Sequence, residues 1–78
     1  MSTCSVWKIP VQLATGTITN GATTVSAISL TNGAVIHDNR NVHIMITSST
    51  DAGKVFPCRV TTDGGTSLTI NTANPFAT

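Results

Sequence analysis

The stretch NVHIMITSSTDAGKVFPCRVTT, residues 41–62, decides how the rest of the chain is read. Val42, Ile44 and Ile46 alternate with His43, Met45 and Thr47. After Ser49-Thr50-Asp51-Ala52-Gly53, Phe56, Cys58 and Val60 alternate with Val55, Pro57 and Arg59. Period-two alternation sends one set to a buried face and the other outward. Asp-Ala-Gly supplies the capped, positive-φ chemistry of a short loop. The reading is a hairpin of two strands, 42–48 and 54–62, at the centre of a small all-β domain.

Working outward, several short strands are bounded by turn residues. Residues 5–13 read as one strand with Trp7, Ile9, Val11 and Leu13 on a common face. Pro10 lacks a ladder donor, so this strand is expected at an edge, or as an arm on a neighbour. Gly16 is read as its breaker. Residues 17–19 follow as a short strand, and Asn20-Gly21 is a strong hairpin turn. Residues 23–30 change parity midway, which predicts a bulge or burial on both faces. Thr31-Asn32-Gly33 reads as a turn, 34–36 as a strand or a connection, and 37–41 as a polar loop. Asp63-Gly64-Gly65 makes a further turn before a strand over 67–71, and 72–78 reads as an irregular tail. No stretch shows helical periodicity. The predicted class is all-β: one domain over 1–78, a small antiparallel β-sandwich or barrel, jelly-roll-like, with 1–14 as an N-terminal strand or arm.

Composition excludes several functions. The chain has 78 residues and only 9% charged residues, against ~25% in typical domains. Thr, Ser, Asn and Gly fill the polar positions, so few charges need desolvating when such a surface packs on other protein. Lys8, Arg40, Lys54 and Arg59 are scattered and the net charge is +1. No basic stripe exists for nucleic acid, and no apolar run approaches a membrane span. No secretory leader is evident at Met1-Ser2-Thr3-Cys4. A domain this small usually needs a disulfide, a metal or a partner subunit, and the first two are not obvious here, which points to an oligomer.

Candidate chemistry is sparse. His37, Asp38 and His43 could be weighed as metal ligands, but their spacing matches no metal motif, and a polar loop plus an outward strand histidine is the reading preferred. Cys4 and Cys58 are read as reduced thiols, with Cys58 packed beside Phe56 and Val60. No nucleophile elbow, phosphate cradle or carboxylate pair occurs, so neither an enzyme nor a cofactor is expected. Trp7 has two readings, core residue or interface anchor.

From Gly16 to Ile70 the chain resembles a small Thr/Gly-rich β-module of bacteriophage virion proteins. The matching residues are Gly16-Thr17-Ile18-Thr19, Gly21 through Val25, and Leu30-Thr31-Asn32. They continue with the central hairpin, Arg59-Val60-Thr61-Thr62, and Gly65-Thr66-Ser67-Leu68-Thr69-Ile70. Related modules continue past the last strand, whereas this chain proceeds to Asn74-Pro75-Phe76. An N-terminal strand from Trp7 to Leu13 is expected to take the missing place. The resemblance implies a structural role: a capsid decoration (cement) protein, homotrimeric, bound to the major capsid protein on the outer shell of a virion assembled in the host cytoplasm. The alternative it implies is a head or tail fibre module that binds host-surface glycans. No catalytic residues are implied. The contact residues expected on edge position and apolar exposure are Trp7, Lys8, Ile9 and Pro10, with Phe76 in the tail. Residues 2–10 would then form a detachable anchor.

Overall fold

The computed structural model describes residues 2–31 and 34–76. It contains six strands: β1 (Ser2–Lys8), β2 (Val11–Ile18), β3 (Thr24–Leu30), β4 (Asn41–Ile46), β5 (Val55–Asp63) and β6 (Leu68–Ile70). All neighbours are antiparallel, and the strands close into a barrel in the order β1-β2-β3-β6-β5-β4. No helix forms among the described residues. The all-β class therefore holds, in its barrel form. Closure removes the free edges that an open sheet of this size would expose.

The hairpin over 41–62 folds as its alternation dictates. Val42, Ile44 and Ile46 of β4 and Phe56, Cys58 and Val60 of β5 point into the core and are buried. Cys4 and Val6 of β1, Ala14 and Ile18 of β2, Val25, Leu68 and Ile70 complete the lining. Pro57 breaks no ladder. The Arg59 N–H, two residues on and on the same side, donates to Asn71 Oδ1 beyond the end of β6. Pro57 faces that side too, where the β5–β6 register has not yet begun at Val60. Its missing donor therefore has no partner to lose.

Both mouths of the barrel are plugged. β3 and β4 stand opposite one another in the ring, so their connection crosses one mouth, and Ile36 drops from it into the core at 2% exposure. Asn39 N–H donates to the Val60 carbonyl, and Val60 N–H donates to that of Arg40, tying the crossing to β5. At the other mouth the chain after β6 runs back over the β2–β3 turn. Gly21 N–H donates to the Asn74 carbonyl, and Asn74 N–H donates to that of Ala22.

Several expectations need correcting. Residues 5–13 are two strands, not one. They fold back at the two-residue turn Ile9-Pro10, whose peptide bond is cis, so that Lys8 pairs with Val11 and Val6 with Ala14. β1 is paired with β2 on one side and β4 on the other. It is barrel wall, neither an edge nor an arm, so removing 2–10 would remove a wall. Gly16 is not a breaker but lies inside β2. Of the two readings of residues 34–36, strand or connection, the structure has the connection. The bulge expected in 23–30 is present: Thr15 faces Ser29 and Thr17 faces Ser26, so Gly16 opposes both Ala27 and Ile28, with Ala27 at φ 54°. The tail is anchored as far as Phe76. Of the expected Thr31-Asn32-Gly33 turn, Asn32 and Gly33 lie outside the described residues, as do Met1, Ala77 and Thr78.

Candidate docking face

Outward parity on three adjacent strands assembles the face. On β4 the outward side chains are Asn41, His43 and Met45; on β5 they are Arg59, Pro57 and Val55. The register places them opposite one another as Asn41–Arg59, His43–Pro57 and Met45–Val55. β1 adds Trp7 beside His43 and Ser5 beside Met45. The result is a ladder that grades from polar at Asn41 and Arg59 to apolar at Met45 and Val55.

The apolar end is concave. Trp7, Ile9, Pro10, His43, Met45 and Val55 line a groove of about 340 Å³. Its floor is held firmly. Trp7 Nε1–H donates to Ser5 Oγ at 2.7 Å, and Ser5 is buried beneath the indole. That bond satisfies the one polar atom of the ring and turns its apolar surface to the groove. Its rim is open, with Ile9 at 62% exposure and Val55 at 43%. Asn41, His43, Pro57, Arg59, Asn71 and Thr72 are among the residues lining a second, polar depression, so His43, which lines both, stands where the two meet.

Of the expected contact residues, Trp7, Ile9 and Pro10 come together in the groove, and Lys8 sits exposed between two of them. Phe76 does not join them. It lies at the opposite mouth, half-buried, with its ring edge-on to Phe56 at 5.8 Å between centroids. Asn20 Nδ2 donates to its carbonyl, and its own N–H donates to Asn74 Oδ1. The Lys54 ammonium stands 5.8 Å from the ring centroid. Phe76 thus serves as a plug. His43, Met45 and Val55 were missed as site residues. The signal for Met45 and Val55 was there: apolar side chains on the outward set of the central hairpin.

The remaining candidates do not converge. His37 is exposed in the crossing connection, while Asp38 Oδ1 accepts from the Asp63 N–H at 2.8 Å. Among the described residues no group of three His, Cys, Asp or Glu is placed to hold a metal ion. Cys4 and Cys58 are unpaired and buried, and desolvation pushes both thiols up to about 11, away from the reactive thiolate.

No family model matches the chain, and comparisons with curated proteins and with solved structures find nothing similar to it.

Proposed function

We propose that this protein is a non-enzymatic docking module, and specifically a bacteriophage capsid decoration protein that seats its outer groove on the shell. The observation that carries the docking role is the groove itself. An open apolar depression backed by a buried serine–indole contact is what a protein interface needs at its centre: aromatic and aliphatic anchors held in place before binding. The virion assignment rests on the Gly/Thr pattern from Gly16 to Ile70. Thr- and Ser-rich outer faces with few charges suit it, because close packing on a shell then desolvates little charge.

The mechanism is mechanical. A rigid barrel loses little freedom on docking, so even a modest groove yields useful affinity. As a homotrimer, each assembly would engage three neighbouring capsid subunits, and linked weak sites raise overall avidity by orders of magnitude. Val11, Leu30 and Val35 are exposed apolar residues at the mouth crossed by the β3–β4 connection, outside the groove lining, and could serve trimer contacts.

The test is the copy number of this protein in purified particles, relative to the major capsid protein. Hundreds of copies per particle are expected. A handful would move the chain to a fibre or vertex and favour the glycan-binding module. None would overturn the virion role. Since β1 is wall, the binding variants are Trp7→Ala and Ile9→Ser rather than a truncation.

A further inference from the structure

The two depressions that meet at His43 differ in chemistry, and the difference bears on what could dock there. The apolar groove holds no carboxylate, and neither does the polar one. The three acids of the chain are engaged elsewhere: Asp51 with the Lys54 ammonium at 2.8 Å, Asp38 with the Asp63 N–H, and Asp63 Oδ1 with the Gly65 N–H. Arg59, by contrast, faces outward on β5. Among the described residues its guanidinium meets only Asn41 Oδ1, through Nε at a long 3.5 Å. Its remaining donors are directed to no carboxylate among the described residues.

We propose that this face receives one extended acidic–apolar peptide segment of the partner, with a bulky apolar side chain in the groove and a carboxylate on Arg59. The inference rests on the docking role proposed above and adds the chemistry of what docks. Spacing supports it. Met45 and Asn41 are four residues apart on β4, or ~13 Å, which an extended segment of about five residues spans. Volume supports it too. At about 340 Å³ the groove is near the lower end of the ~300–1,000 Å³ of small-molecule sites, room for one or two side chains rather than a long acyl chain. Charge complementarity gives direction along the ladder: apolar at Met45 and Val55, acidic at Arg59. A guanidinium binds a carboxylate through paired N–H donors, which a neutral segment could not exploit.

A random heptapeptide library selected on the folded protein tests this. The expected outcome is enrichment of sequences with an aromatic or large aliphatic residue and an Asp or Glu within four positions. The consensus peptide should bind Arg59→Gln up to about fivefold more weakly, as for an exposed ion pair, and the loss should shrink in high salt. Ile9→Ser should weaken it about tenfold while the thermal midpoint stays near that of the parent, since Ile9 is mostly exposed. A consensus without acids, binding indifferent to Arg59→Gln, or no consensus at all would overturn the proposal. Copy number in particles reads the decoration role separately. Abundance in the virion with no acidic preference defeats only this inference, and an acidic consensus in a protein absent from particles defeats only that role.

Discussion

Gly16 offers a sharp test of how the barrel wall is built. A methyl group added there would stand 2.8 Å from the Ser26 carbonyl oxygen, 2.9 Å from Val25 Cγ1 and 3.0 Å from Ile28 Cδ1. The two side chains can give way by small rotations, but the carbonyl belongs to the bulge and cannot. Gly16→Ala therefore forces a backbone shift, which costs ~1–3 kcal/mol in a packed interior. Against this stands the ~0.4–1 kcal/mol that alanine gains by narrowing the unfolded ensemble. The net expectation is a loss of about 1–2 kcal/mol. In a chain of this size that lowers the thermal midpoint by roughly 5–15 °C. Urea unfolding followed by far-UV circular dichroism and Trp7 fluorescence reads the same quantity. Trimming Ile28 to Val in the Gly16→Ala background should restore little, because the carbonyl contact remains, and a double-mutant cycle isolates the coupling. Ala27 gives the opposite sign. It is exposed with φ 54°, a conformation that costs a non-glycine residue ~1–2 kcal/mol, so Ala27→Gly should stabilise by about 0.5–1 kcal/mol. A Gly16→Ala variant as stable as the parent would refute the close-approach argument.

Four further outcomes follow from the packing. Asn74 is buried and its Nδ2 donates to the Thr19 carbonyl while its Oδ1 accepts from Phe76 N–H, so Asn74→Ala should cost ~1–3 kcal/mol in urea titrations. The thiols of Cys4 and Cys58, raised from 9.0 to about 11 by burial, hold their protons in the fold at pH values where the unfolded chain loses them. Stability is thus unaffected below pH 9 and falls as pH climbs from 9 to 11, by up to ~1.4 kcal/mol per pH unit for each thiol. The chain has no tyrosine to share that window, and a Cys4→Ala, Cys58→Ala variant should show a flatter slope. The homotrimer proposed above, which the packing of one chain does not itself give, should sediment at three times the 8.1 kDa chain mass and fall to the monomer with Val11→Lys and Val35→Lys. Native-state amide exchange should be fastest at the seam between β3 and β6, where only Thr24–Thr69 and Val25–Leu68 are in register.

Elements set by local alternation and turn chemistry are legible in the sequence. The hairpin over 41–62 kept its alternation because a wall strand of a small barrel has one face in the core and one outside. Asn20-Gly21 turned as its chemistry requires, with Gly21 at φ 75° and the Ala22 N–H donating to the Thr19 carbonyl. Residues 5–13 misled because Trp7, Ile9, Val11 and Leu13 alternate by accident of composition. They go to four settings: groove floor, turn, exposed strand start and core. A two-residue turn leaves no polar run to mark it, and Pro10 fits an edge strand as well as a turn. Gly16 read as a breaker for a similar reason, since the need for a missing Cβ arises from a bulge on another strand. The groove was half legible. Trp7, Ile9 and Pro10 are neighbours in sequence, but Met45 and Val55 join them only through the registers of β1 with β4 and β4 with β5. Asn74 and Phe76 were invisible as plugs because their partners lie more than fifty residues away at Thr19 and Asn20.

The placement of strength and weakness around the ring bears on the proposed docking role. β1 stands opposite β6, and β4 stands opposite β3. The groove is therefore carried by the wall with the longest ladders, β1 paired from Ser2 to Lys8 with β2 and β4 paired from Asn41 to Met45 with β5. The short seam lies on the far side. Local opening follows the weakest pairing, so breathing at β3–β6 leaves Trp7, His43, Met45 and Val55 in register. A docking face so placed does not have to be ordered by its partner, and the binding free energy is not spent on folding it. A weak seam on the opposite wall would let a small barrel, with its cysteines free and no group of three metal-ligating side chains among the described residues, still present a fixed surface.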